Sequence, residues 1–242
     1  MRRVKAMKIE RGMTVDQLVR EMGSSGAFGA GRLAEAVDIY EEMYREKATK
    51  FFGLAGAMVP AGMRQVVVEM LRQGYIDVLV TTGANLAHDL LEAFGGHHYK
   101  GSSRARDEKL MDEGISRVFY VFLPEKDFLL LERGFRKILD GMEGDYTIRS
   151  FLAEVGRKVR DRRSILRAAA DVGVPVFCPG LADSMLGLHA WLEAEKGRLR
   201  VDALRDMKEI VELCFQVERS GAVFIGGGVP KNFILQAMLV SP

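Results

Sequence analysis

The chain has 242 residues, about one to two domains' worth, and its 48% hydrophobic content is enough to bury a sizeable core, which excludes a disordered or fibrous protein. Its 35 basic and 33 acidic residues give a formal charge of +2, so there is no general electrostatic footprint for nucleic acid or an anionic membrane. The two cysteines, Cys178 and Cys214, stand in no CxxC or metal-ligand spacing. A disulfide framework and a zinc site are therefore not expected, and a reducing cytoplasm fits.

The N-terminal stretch MRRVKAMKIERGMTVD is basic without an apolar h-region, and no run approaches the roughly 18 apolar residues of a membrane span. Residues 14–47 carry a helical pattern and make residues 1–48 a leading helical region. From there a single grammar recurs, in which a short apolar run ends in small or glycine residues and opens into an amphipathic helix. Its first copy runs from Phe51 through Gly53, Gly56, Pro60 and Gly62 into a helix over 63–72, with Val66, Val67, Met70 and Leu71 as its apolar face. The second is a strand over 78–80, then Thr81, Thr82 and Gly83, then a helix over 85–94. Weaker copies place a strand over 118–122 before a helix over 128–139, and a strand over 174–178 before a helix over 183–194. The last has a strand over 222–225, then Gly226, Gly227 and Gly228, with Pro230 where a first helical turn tolerates it.

Strands alternating with helices of ten or more residues predict an α/β fold over 49–242, a parallel sheet with helices on both faces. In such sheets the ligand crevice lies beyond the carboxyl ends of the strands, where all the glycine turns fall. Glycine lets the backbone approach a ligand, and a helix N-terminus offers free N–H groups to phosphate, so the turns suit a dinucleotide. None spells GxGxxG, and close packing alone also calls for glycine there.

Asp183 opens a helical pattern and either caps it or holds a ribose hydroxyl or substrate amine. Surface or capping roles account for Asp77 and Asp89. The pair His97 and His98 has no third ligand at a recognised spacing and reads as a polar loop with Tyr99 packed beneath it, so no metal site is expected. His189 reads equally as a proton acceptor near the crevice or as a partly buried helical histidine beside Trp191. The basic run 157–163 reads as a solvated helix end, and the methionines at helical positions as core filling.

Taken together and in order, MGSSGAFGAGRLAEAVDIYEEM, FFGLAGAMVPAGMR, DVLVTTGANLAHDLLEAFG, GHHYKG, VPVFCPGLADSMLG and GGGVPKNFILQAML resemble the deoxyhypusine synthase family, in a form closest to archaeal or thermophilic members. The resemblance implies a Rossmann-like domain and a homotetramer, a dimer of dimers, with active sites at the dimer interface. It implies NAD as cofactor, spermidine as donor and the precursor of translation initiation factor 5A as acceptor. In that chemistry NAD dehydrogenates spermidine, an enzyme lysine captures the aminobutyl group as an imine, and the group passes to one lysine of the acceptor.

Carried over residue by residue, Gly56 and Ala57 match one set of cofactor contacts, Thr81, Thr82 and Gly83 the next cofactor turn, and Asp183 a carboxylate of the site. Gly226, Gly227, Gly228 and Lys231 match the nicotinamide end. Three positions depart from the family's better-known members. Asn232 stands in place of a histidine beside the reacting carbon, where an amide cannot act as a base; His88 replaces a glutamate, and Leu188 an acidic residue of the polyamine pocket. Asn232 and His189 are the candidate catalytic residues, and the imine-forming lysine is left unassigned: the family carries it in an SGA…EAxSWGK segment after the GGGVPKN helix, whether here deleted, on a separate chain or lost, which makes 49–242 a C-terminally incomplete domain. Homospermidine synthesis, with a free diamine as acceptor, and a noncatalytic NAD-binding subunit are the alternatives.

Overall fold

The computed structural model describes residues 3–240. The leading region is two helices, α1 (Val15–Ser25) and α2 (Phe28–Arg45). A capping box starts α1: the Thr14 hydroxyl accepts from the Gln17 N–H while the Gln17 side chain accepts from the Thr14 N–H. Gly26 in the left-handed region ends it, which is why the helical pattern over 14–47 divides. Residues 3–49 with 219–221 form one compact unit, and the other described residues form the second.

The second unit follows the predicted grammar through β1 (Thr49–Leu54), a wide helical turn (Val59–Met63), α3 (Arg64–Arg72), β2 (Val78–Thr81) and α4 (Gly83–Ala93). The chain then makes β3 (Tyr99–Lys100), α5 (Asp107–Asp112), β4 (Ile115–Val118), β5 (Val121–Pro124) and α6 (Glu125–Leu139). After these come β6 (Gly144–Thr147), α7 (Ile148–Lys158), α8 (Ile165–Val172), β7 (Val176–Phe177) and α9 (Met185–Ala194). It closes with β8 (Leu199–Asp202), α10 (Arg205–Gln216), β9 (Ser220–Ile225) and α11 (Gly228–Leu239).

The main sheet has the order β7-β2-β1-β9. β1 pairs in parallel with β2 (Phe51 opposite Val78, Leu54 opposite Thr81), and β2 with β7 (Leu79 opposite Val176). On the other side of β1, the Ala55 N–H donates to Ile225 O at 2.9 Å just beyond both strands. Alternation along the strands sends Phe52, Leu54, Leu79, Val176 and Cys178 to one apolar core, built with α3, α4 and α6 to α9. Phe51, Val78, Val80 and Phe177 face the opposite core, built with α10 and α11. The strands therefore read as continuous apolar runs because both faces are covered. The parallel sheet with helices on both faces is the predicted fold class.

Three local expectations are corrected. The strand expected over 118–122 is an antiparallel hairpin of β4 and β5 with β3 alongside, because Phe119 takes a positive φ and turns the chain between them. A separate two-stranded parallel sheet, β6 with β8, lies outside the predicted set. On α3 the buried face is Arg64, Val67, Val68 and Leu71, while Val66 is exposed, a rotation of one position in the helical wheel. The basic run is a helix end as expected, with Arg157 and Lys158 in the last turn of α7 and Arg160, Arg162 and Arg163 exposed after it. No helix among the described residues is long and apolar enough to cross a membrane.

Candidate functional site

From β1 the chain moves to β2 on one side and eventually to β7 beyond it, then returns to β9 on the other side of β1. The order reverses between β1 and β9, and the crevice of an open parallel sheet lies at the carboxyl ends of the two strands flanking such a reversal. Gly56 and Ala57 follow β1 and are exposed; Gly226, Gly227 and Gly228 follow β9. Gly226 has φ +80°, and a Cβ on it would stand 3.3 Å from the Ala55 Cβ, so the two turns meet backbone to backbone. A Cβ at Gly227 or Gly228 would meet nothing within 4 Å, so both face open space. α11 begins there with no side-chain cap, which leaves its first N–H groups without a capping oxygen.

The other two helices of the strand ends are closed. At α4 the Thr82 hydroxyl accepts from the Asn85 N–H, and at α9 the Ser184 hydroxyl accepts from the Gly187 N–H. Thr81 is buried, its hydroxyl donating to Leu54 O at 2.9 Å. Gly83 is buried too, and a Cβ there would come within 2.5 Å of Ser184, so this glycine lets the α4 start pack against the α9 start. Thr81 and Gly83 are thus engaged with protein atoms, while Thr82 stays partly exposed.

Ser184, rather than Asp183, caps α9. That leaves Asp183 exposed, its carboxylate without hydrogen bond or ion pair among the described residues. On α11, Lys231 is partly exposed at the end of the first turn and Asn232 exposed at the start of the second. His189 is not brought to this crevice as a proton acceptor. It is buried with neither ring nitrogen hydrogen-bonded among the described residues, and packs edge-on against Phe135 of α6 at 6.3 Å between ring centroids. Burial lowers its pKa, so it is a neutral core residue.

The GHHYKG loop differs from expectation as well. Tyr99 is half exposed and meets His97 edge-on rather than packing beneath the pair. His98 turns inward, its Nδ1 2.7 Å from Glu92 Oε1 and its Nε2 2.9 Å from His88 Nδ1. Among the described residues no group of three His, Cys, Asp or Glu side chains could hold a metal.

Asp89 is neither a surface residue nor a cap of its own helix. Fully buried, it accepts from Arg64 Nε at 2.8 Å, the Ser164 hydroxyl at 2.7 Å and the Ile165 and Leu166 N–H groups, and so caps α8 across the core. Arg64 also reaches Asp161 at 3.2 Å. Asn85 is likewise buried. Its Oδ1 accepts from the Val59 N–H at 3.3 Å and its Nδ2 reaches Leu54 O and Thr81 Oγ1, which pins the wide turn after β1 to the start of α4. Composition and spacing do not single these residues out. The one local signal is the i,i+4 spacing of His88 and Glu92, which puts them on one helical face.

The deoxyhypusine synthase family model matches residues 17–241. A Methanosarcina thermophila protein named "Probable deoxyhypusine synthase" is 55% identical over 241 residues, covering 99% of this chain and 76% of the relative. "Probable deoxyhypusine synthase 1" of Archaeoglobus fulgidus is 45% identical over 239 residues, covering 99% of this chain and 78% of the relative. A crystal structure assigned as a deoxyhypusine synthase of Entamoeba histolytica superposes with a TM-score of 0.67 at 18% identity, over 93% of this chain and 79% of that one, and so shares the fold. With this architecture and these relatives, the chain belongs to the deoxyhypusine synthase family.

Proposed function

We propose that the protein is an NAD-dependent transferase that takes the aminobutyl group of spermidine and delivers it to one lysine of the translation initiation factor 5A precursor, in the cytoplasm. The observation that carries this reading is the open glycine turn at the sheet's reversal, in a chain of this family. Gly227 and Gly228 leave space on their outer side and α11 starts uncapped, so a pyrophosphate would meet N–H donors and the positive end of a helix there. Gly56 and Ala57 lie exposed across the crevice, and Asp183 has a carboxylate free to hold a ribose hydroxyl or a substrate ammonium. Thr82 is the member of the second turn with surface left for the cofactor.

When bound, NAD supplies the hydride acceptor and donor that oxidise and later reduce the amine carbon. The chain's own residues bind and orient. Lys231 brings a positive charge to the end of the first turn of α11, and Asn232 offers a carboxamide that hydrogen-bonds without taking a proton. The site therefore needs its base from another element. Leu188, 46% exposed on α9, puts an apolar side chain where the family's pattern has an acidic residue, which favours a second reading with a free diamine as acceptor.

Calorimetry with NAD, followed by incubation with labelled spermidine and either the 5A precursor or putrescine, tests these readings. NAD binding and label on the precursor are expected. Label on putrescine alone would favour the diamine reading, and no NAD binding at millimolar concentration would remove both.

A further inference from the structure

Glu92, His98 and His88 form a hydrogen-bonded row. One oxygen of Glu92 lies 2.7 Å from His98 Nδ1, and His98 Nε2 lies 2.9 Å from His88 Nδ1, with the two imidazole planes tilted by 55°. Glu92 and His88 are one turn apart on α4, and His98 is lowered onto them by the loop between α4 and β3. The carboxylate end is anchored, since Arg64 Nη1 stands 3.5 Å from the other Glu92 oxygen while its remaining nitrogens are engaged by Asp89 and Asp161.

The other end is open. His88 is partly exposed and its Nε2 has no hydrogen-bond partner among the described residues. It shares a helical face with exposed Ala84, about 6 Å nearer the N-terminus that stands at the end of β2.

Charges around the row set its protons. Burial lowers His88 to about 4, so its ring is neutral at pH 7. Burial of Glu92 opposes ionisation, but the hydrogen bond from His98 and the charge of Arg64 outweigh it and hold the carboxyl below its usual value. With one proton on each ring, His98 Nδ1–H donates to the Glu92 carboxylate and His88 Nδ1–H donates to His98 Nε2. The lone pair of His88 Nε2 then points out of the row.

We propose that this row is a proton relay of the active site. Resting on the amine-oxidising reading above, it supplies the base that Asn232 cannot be. A substrate ammonium gives one proton to His88 Nε2, the His88 Nδ1 proton passes to His98 Nε2, and the charge rests on a His98 imidazolium against the Glu92 carboxylate. Only N–H bonds are made and broken, and no electrons are transferred. His88 is the residue that meets substrate; His98 and Glu92 are positioning residues that set its tautomer and store the proton.

Long-range proton–nitrogen spectra of the full chain labelled with 15N-histidine, recorded from about pH 4 to pH 9, test the row without cofactor or substrate. The expected result is Nδ1–H on both His98 and His88 at neutral pH, with the His88 signals changed by His98→Gln and by Glu92→Gln. A His88 that titrates near the ordinary histidine value and is indifferent to both substitutions overturns the relay.

For the role in the reaction, spermidine-dependent reduction of NAD is followed against pH. His88→Gln is expected to lower kcat by about 10²-fold and to change the pH profile, with NAD affinity by calorimetry unchanged. Variants that are only less heat-stable, with the profile of the unsubstituted protein, would make the row a loop latch and overturn the proposal. Absence of NAD binding by the unsubstituted chain would remove the catalytic role together with the reading it rests on, while the spectra would still report the row itself.

Discussion

Arg64 donates from Nε to the Asp89 carboxylate at 2.8 Å, with both side chains closed off from solvent. Arg64 opens α3, Asp89 lies in the middle of α4, and the same carboxylate accepts the first N–H groups of α8. One ion pair thereby ties three helices on the core side of the sheet. Its energetic weight lies in what is left when one partner goes: a buried cation with too few acceptors and an uncapped helix start.

Asp89→Ala should therefore destabilise the protein by about 3–5 kcal/mol, the cost of breaking a buried pair. Asp89→Asn keeps an acceptor oxygen and should lose less. Urea unfolding midpoints check both, and a midpoint for Asp89→Ala equal to that of the unsubstituted chain would contradict the assignment.

Gly227 and Gly83 should separate ligand effects from packing effects. A Cβ at Gly227 meets nothing in the protein, so Gly227→Val, with its side chain on the open side, should weaken NAD binding at least about tenfold, or 1.4 kcal/mol, in the folded variant. At Gly83 a Cβ would sit 2.5 Å from Ser184, so Gly83→Ala should lower the melting temperature directly. Calorimetry and thermal unfolding on both variants give the comparison. Unaltered NAD affinity in a folded Gly227→Val protein would sink the cofactor placement.

Asp206 should give stability a pH dependence of its own. Its Oδ1 accepts from the Arg149 N–H at 3.0 Å at the start of α7, while its buried Oδ2 has no partner among the described residues, and burial pushes its pKa up to about 6. The folded state then holds this proton more tightly than the unfolded chain. The group's stabilising contribution is full below about pH 4 and is lost as the pH rises through about 6, a change of at most about 3 kcal/mol. Asp206→Asn keeps the Oδ1 acceptor and cannot ionise. The stability difference between this variant and the unsubstituted chain should therefore move in the variant's favour from pH 4 to pH 6.5 by denaturant titration; a constant difference would refute the account.

Assembly is the fourth expectation. Leu188, Trp191 and Leu192 are exposed along α9, an apolar stripe beside Asp183 that a lone chain would leave in water. Light scattering at micromolar concentration should find a dimer or a tetramer, and a clean monomer would count against the interface location of the site.

The strand–glycine–helix units are legible because each is local. Apolar runs at Phe51, Val78 and Ala222 sit next to the glycines that end them, and helical periodicity begins within a few residues. The hairpin of β4 and β5 was hidden because a run such as 118–122 looks alike whether it crosses to a parallel neighbour or folds back at Phe119. The spacing leaves Asp183 open between cap and ligand residue, since Asp183 and Ser184 are both good caps and only the backbone path chooses Ser184 for α9.

By itself the sequence determined the parallel sheet, its glycine turns and the family to which they belong, since periodicity and motif order depend on neighbours along the chain. The tertiary structure alone decided which polar groups are satisfied and by whom. It buried His189 against Phe135, turned His98 inward onto His88 and Glu92, and set Asp89 against the start of α8, 76 residues away at Ile165. The physical reason is that a buried polar group takes whatever partner the folded chain brings within about 3 Å, and that distance is fixed by how the helices pack, not by spacing in sequence.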